Sequence, residues 1–201
     1  MVENLLRGYM SARRILVAYA TSYGQTAKIA RYMADLLLAS GNAVTLVNVR
    51  HHPRDFRRGE FDGVIVGGSI IRGQHHRELV RFVRNHRAML NGMPSAFFSV
   101  SGSAASPLEG ERAKAREMVI EFIASNGWHP SLTATVGGAM AYTKYNPLMR
   151  WFMKRVAKAA GGPTDTSRDH ELTDWSQIDA IVGRFVESLP LPHETRELVV
   201  T

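Results

Sequence analysis

Residues 21–26 read Thr-Ser-Tyr-Gly-Gln-Thr and lie between an apolar run and the start of a helical pattern. Thr21, Ser22 and Thr26 carry hydroxyls, and Gly24 permits a tight backbone approach. A helix beginning there would aim free N–H groups at an anion. The loop has no lysine and no Walker spacing, so its chemistry is that of holding a phosphomonoester, not cleaving a triphosphate. The other reading of such a loop is a plain polar turn with Thr26 near the helix start. Two more Gly/Ser-rich stretches follow, GGSIIRGQHH (67–76) and SVSGSAAS (99–106). Each alone is commonplace; with the first they make three polar loops suited to a flat ring lying against backbone. His75 and His76 are candidate proton acceptors, although a solvated loop position is the plainer reading of each. Adjacent histidines without nearby carboxylates, in a chain with no cysteine, form a poor metal site, so no metal is expected.

The elements that position these loops follow from periodicity. RILVAYA (14–20), AVTLVNV (43–49), GVIVGGS (63–69), SAFFSV (95–100) and LTATVGG (132–138) are apolar runs of strand length. Amphipathic helices are expected over 26–39, 77–90 and 110–125, and from an N-cap at Asp174 to Leu189. Apolar strands alternating with such helices predict an α/β fold with a doubly wound five-stranded parallel sheet of order 2-1-3-4-5, with ligands beyond the strands' carboxyl ends. Residues 139–173 are too long for a simple connection and hold a further helix near 148–160, started by Asn146-Pro147 and stopped by Gly161-Gly162. No apolar run approaches the ~20 residues of a membrane span.

These motifs resemble a known family. TSYGQT after an apolar strand is similar to the FMN phosphate loop of flavodoxins. DGVIVGGSIIRGQHH (62–76), MPSAFFSVS (93–101), the run GGAMAYTKYNPLMRWFMKRVAKAAGGPTDT (137–166) and LTDW (172–175) resemble one branch of that superfamily, the HemG-type, menaquinone-dependent protoporphyrinogen IX dehydrogenases. The resemblance spans about 14–185 and implies a single flavodoxin-like FMN-binding domain over 13–190, with a basic insert at 139–166, an extension at 1–12 and a tail at 191–201. It further implies that Thr21, Ser22, Tyr23, Gly24, Gln25 and Thr26 hold the FMN phosphate. Ser69 and Ile70, with Ser99, Val100, Ser101 and Gly102, would then contact the ribityl chain and ring. Where relatives carry tyrosine in the second loop, this chain has Ile71, Arg72, Gln74 and His75.

The net charge of +7 and pI near 10.0 favour an anionic partner. Within 139–166 five cations, Lys144, Arg150, Lys154, Arg155 and Lys158, stand against Asp165 alone. On a helical wheel the apolar residues from Leu148 to Ala160 share one sector, with the cations and Trp151 opposite. That helix either packs on the protein's own sheet, docks on an anionic membrane surface through 147–160, or walls the flavin while its cations and Arg72 bind tetrapyrrole carboxylates. The resemblance implies oxidation of protoporphyrinogen IX with menaquinone or ubiquinone as acceptor, at the cytoplasmic face of the inner membrane. The alternatives are an FMN-dependent NAD(P)H:quinone reductase and a basic flavodoxin-type electron carrier. Nucleic-acid binding lacks any motif beyond pI and is not expected.

Overall fold

The computed structural model describes residues 12–51, 56–57 and 59–191. The expected extension and tail lie, apart from Ala12 and Leu191, outside the described residues. Five strands form the central sheet: β1 (Arg14–Ala20), β2 (Ala43–Asn48), β3 (Gly63–Ile71), β5 (Ser95–Ser101) and β6 (Leu132–Gly137). Their order is β2-β1-β3-β5-β6 and every pairing among them is parallel, which is the doubly wound order expected from the sequence.

Alternation within β1 shows why helices cover both faces. Ile15, Val17 and Tyr19 enter one core cluster with Ile29, Met33 and Leu37 of α1 (Gln25–Ala39) and Ile178, Ile181 and Phe185 of α6 (Trp175–Ser188). Leu16, Ala18 and Ala20 enter a second cluster. It also holds Leu79, Phe82 and Val83 of α2 (Arg77–Asn85), Met89 and Leu90 of α3 (Arg87–Leu90), and Val119 and Phe122 of α4 (Glu109–Ser125). A strand with two apolar faces reads as a continuous run because both parities are buried.

Two expectations change. The helix expected over 77–90 is split at His86, whose ring nitrogens serve the Phe82 carbonyl (2.9 Å) and the Phe56 N–H (3.2 Å). The second loop is no loop over most of its length: β3 runs on to Ile71, turns at Arg72-Gly73, and returns as β4 (Gln74–His75). Both turn residues have positive φ, 51° at Arg72 and 77° at Gly73. A two-residue hairpin demands that conformation, and an arginine adopts it at a cost that most such turns avoid with Asn, Asp or Gly.

The insert begins with β7 (Ala139–Met140), which pairs antiparallel with β8 (His170–Glu171), and carries α5 (Pro147–Ala159) between them. Asn146 caps α5 by accepting from Met149 N at 2.8 Å, with Pro147 following. At the other end Gly162 N donates to Ala157 O (2.7 Å) and Gly161 N to Lys158 O (3.3 Å), the paired bonds of a Schellman stop. Gly161 sits at φ 69°, and a Cβ there would lie 2.9 Å from Pro107 Cγ. Gly161→Ala should therefore lower stability by about 1–2 kcal/mol in urea denaturation, from left-handed strain plus the Pro107 contact.

Candidate functional site

Parallel strands bring their carboxyl ends to one edge, and the three sequence-predicted stretches meet there. Gly24 precedes α1 at φ 100°, with no side chain capping the helix and no acidic residue in its first turn. The first helical bond is Lys28 N to Gly24 O, so the N–H groups of Gln25, Thr26 and Ala27 precede the ladder. Thr26 is 1% exposed and its Oγ1 has no hydrogen-bond partner. A buried, unpartnered hydroxyl in the first turn of an uncapped helix is the donor set that a phosphate satisfies. The residues present fit a bound phosphate group.

The loop is held from several sides. Thr21 Oγ1 accepts from Gly24 N (3.0 Å), and Arg50 Nη1 donates to Thr21 O (2.7 Å). Lys144 Nζ donates to Tyr23 O (3.0 Å), while the Tyr23 ring meets Tyr145 edge-on at 4.8 Å. Gln25 Nε2 donates to Thr173 Oγ1 (2.8 Å), which itself donates to Gly137 O (2.7 Å). Asp174 caps α6, so LTDW places both the brace behind Gln25 and the start of the last helix.

The two histidines diverge. His76 Nε2 lies 3.1 Å from both Ser22 Oγ and Ser69 Oγ, joining the phosphate loop to the end of β3. His75 turns to the other side of the strand: its Nε2 meets Ser99 Oγ at 3.0 Å, and its ring packs on Phe122 (4.5 Å) and Phe97 (5.4 Å). Neither is the solvated loop histidine that the sequence suggests. Burial pushes the His75 pKa down to about 4, helped by neighbouring His76, and burial followed by the Arg50 charge lowers that of His76 against the opposing pull of Glu78. Both are therefore neutral near pH 7. Among the described residues no group of three or more His, Asp or Glu is gathered as a metal site would need.

A groove of about 780 Å³ opens between α5 and the ends of β3 and β5. Leu148, Trp151, Phe152 and Val156 form one wall; Ile70, Arg72, Gly73, Ser101 and Ser103 contribute the other. Leu148 is 76% exposed, Trp151 58% and Phe152 49%, so the apolar face does not simply pack on the sheet. Only Ala157 of α5 is fully buried, with Met149 and Met153 packed beside it. Those methionines touch the small core around Tyr142, Tyr145 and Tyr23 and also line the groove, which links groove to phosphate loop.

The predicted cations separate into three groups. Arg150 is spent on structure, donating to Tyr142 O (3.0 Å) and Tyr145 O (3.3 Å). Lys144 serves the phosphate loop. Lys154, Arg155 and Lys158 are exposed, with Arg155 lying 5.2 Å over the Trp151 ring. Gly102 starts the turn after β5, where Ser101 Oγ accepts from Ala104 N (3.2 Å); Val100 is buried in the core. Arg50 was not visible in the sequence as a site residue, since nothing in its local pattern reveals that β2 ends beside the phosphate loop.

An open parallel sheet of this order with a phosphate loop after its first strand defines the flavodoxin class of nucleotide-binding folds. The comparisons agree. A family model described as a flavodoxin domain matches residues 16–167. The protoporphyrinogen IX dehydrogenase [quinone] of Escherichia coli K12 is 34% identical over 165 residues, covering 82% of this chain and 90% of the relative. The protein of the same name from Leishmania major is 29% identical over 182 residues, 89% of this chain and 76% of the relative. The crystal structure of oxidised flavodoxin 1 from Bacillus cereus superposes with a TM-score of 0.56 at 17% identity, covering 88% and 99% of the two chains. The chain belongs to the flavodoxin-domain family, in the branch that contains these dehydrogenases.

Because the folded state holds His75 at about 4 against 6.5 when unfolded, the unfolded chain gains the proton first as pH falls. This contribution to stability is complete above about pH 6.5 and is lost toward pH 4. His75→Gln should flatten that decline in urea denaturation followed across the window. A variant as steep as the wild type would remove His75 as its source.

Proposed function

We propose that the protein oxidises protoporphyrinogen IX to protoporphyrin IX, with FMN as its bound cofactor and a membrane quinone, menaquinone or ubiquinone, as electron acceptor. The carrying observation is the groove beside the strand ends. Its size falls within the range of small-molecule sites, and an apolar ridge faces it across from a guanidinium and two serines. A flat tetrapyrrole with carboxylates at one margin matches that division: macrocycle against Leu148, Phe152 and Val156, carboxylates toward Arg72.

The phosphate would be held by the hydroxyls of Thr21, Ser22 and Thr26 and by the N–H groups at the start of α1. The backbone of Ser69–Ile70 and Ser99–Gly102 would lie along the rest of the cofactor. When bound, FMN supplies the two-electron redox chemistry. The chain's own contribution is placement and water exclusion: α5 covers one side of the groove, and Arg72 sets the margin at which acid groups arrive. His76 is neutral and already bonded to two serines, so it orients the loop in preference to shuttling protons. His75 lies away from the groove.

Membrane contact follows from the same ridge. No helix among the described residues is long and apolar enough to cross a bilayer. Instead α5 exposes Leu148, Trp151, Phe152 and Val156 beside Lys154, Arg155 and Lys158, the combination that favours an anionic lipid surface. A protein lying on the cytoplasmic face of the inner membrane through this helix would meet a lipid-dissolved quinone at the groove.

Protein reconstituted with FMN should turn protoporphyrinogen into fluorescent porphyrin when a menaquinone analogue is supplied. Faster quinone reduction with NADH alone would favour the reductase reading. Lys154→Glu with Lys158→Glu should weaken binding to phosphatidylglycerol vesicles, read by sedimentation, by about thirtyfold, at about 1 kcal/mol for each cation near the surface. Unchanged sedimentation would confine α5 to the groove.

A further inference from the structure

Four segments separated in sequence grip the phosphate loop, through Arg50, His76, Lys144 and Thr173, and two of them do so through its carbonyls. Arg50, just after β2, donates to Thr21 O at 2.7 Å. Lys144, from the turn that precedes α5, donates to Tyr23 O at 3.0 Å. In a trans peptide the C=O of one residue and the N–H of the next point in opposite directions. A grip on Thr21 O therefore fixes the direction of Ser22 N–H, and a grip on Tyr23 O fixes that of Gly24 N–H. The Gly24 N–H so placed donates to Thr21 Oγ1 at 3.0 Å and thereby orients that hydroxyl of the loop.

We propose that Lys144 and Arg50 are positioning residues for the cofactor phosphate, acting from outside the loop through the Tyr23 and Thr21 carbonyls. The inference rests on the FMN reading of the site. Each residue does two things. It fixes one peptide of the loop, and it adds positive charge beside a dianion in a loop that contains no cation of its own. Asp169 lies near Lys144: it accepts from Thr143 N and Oγ1, both at 2.8 Å, and feels the Lys144 charge. His76, neutral and bonded to Ser22, completes the loop's tethers without adding charge.

Lys144 has a consequence that Arg50 lacks. It belongs to the insert, and Tyr145 beside it packs on Tyr23. Phosphate binding and insert docking thus share one contact. Each must strengthen the other by the same factor, because coupling between sites is reciprocal. Flavin binding therefore favours the docked insert that walls the groove, and the docked insert favours flavin binding.

The experiment compares FMN with riboflavin, which lacks the phosphate. Dissociation constants are measured by flavin fluorescence for wild type, Lys144→Met, Lys144→Arg and Arg50→Met. The preference for FMN over riboflavin should fall about tenfold in Lys144→Met and in Arg50→Met, the size of one charge-assisted hydrogen bond. Riboflavin affinity should stay within about twofold, and Lys144→Arg should recover most of the preference. In parallel, FMN should slow amide exchange across 145–159 in wild type and not in Lys144→Met. An unchanged preference in both Met variants overturns the proposal, as does an equal loss of both ligands. A wild type that binds neither flavin instead overturns the FMN reading itself.

Discussion

The contact between the phosphate loop and the segment 142–145 decides what the whole insert can do. The chain from Gly138 to Asp174 leaves the sheet after β6 and returns before α6, and it becomes a wall only by burying part of itself on the rest of the protein. It does so in a small core of its own: Met140, Ala141, Tyr142, Tyr145 and Ala157, against which Tyr23, Met149, Met153 and Leu172 pack. Burying a large apolar side chain contributes roughly 1.5–3 kcal/mol, so the two tyrosines and the methionine are a substantial part of what holds the segment. The tyrosines also find polar partners. Tyr142 OH donates to Pro163 O (2.8 Å), and Tyr145 OH accepts from Ala141 N (3.3 Å). Tyr23 is the only member of that cluster from the phosphate loop.

How far this was legible in the sequence depends on the range of the interaction involved. Strand positions and sheet order follow from local periodicity, because a doubly covered parallel strand must be apolar on both parities, as Ile15 through Ala20 are. Caps are equally local: Asn146 and Asp174 accept from N–H groups two or three residues on, so type and spacing identify them. The resemblance supplied the family. Side-chain destinations across the fold were not legible. Neighbouring His75 and His76 go to opposite sides of one strand, one to aromatic rings and one to the phosphate loop, and only the β3–β4 pairing decides which is which. Lys144 and Arg150 look alike as insert cations, yet each is committed to backbone carbonyls that no wheel displays.

The helical wheel of α5 also shows why an apolar sector does not predict burial by itself. The face turned to the protein runs through Met149, Met153, Ala157 and Ala160, at spacings of four, four and three. Leu148, Phe152 and Val156 belong to the same apolar arc but lie one residue back, about 100° around the helix. The arc is wider than the contact the body offers, and the remainder borders the groove. Had α5 served only to pack on the sheet, the outward half of that arc would be expected to be polar, as on α2, where arginines occupy the exposed side.

The hairpin across the groove carries the complementary feature. Arg72 holds a left-handed conformation that a glycine or asparagine would adopt with less strain, and it holds it at the tip of a turn where no core packing requires an arginine. Strain of this kind costs of order 1 kcal/mol and persists where the surroundings over-determine it. Here the surroundings are the β3–β4 pairing, Ile70 with His75 and Ile71 with Gln74, and that pairing is itself secured by the His75–Ser99 bond and the rings of Phe97 and Phe122. The neutral histidine therefore supports the turn that carries Arg72. The pairing thus fixes the backbone of Arg72 at the groove margin by buried, uncharged contacts, with its side chain exposed there.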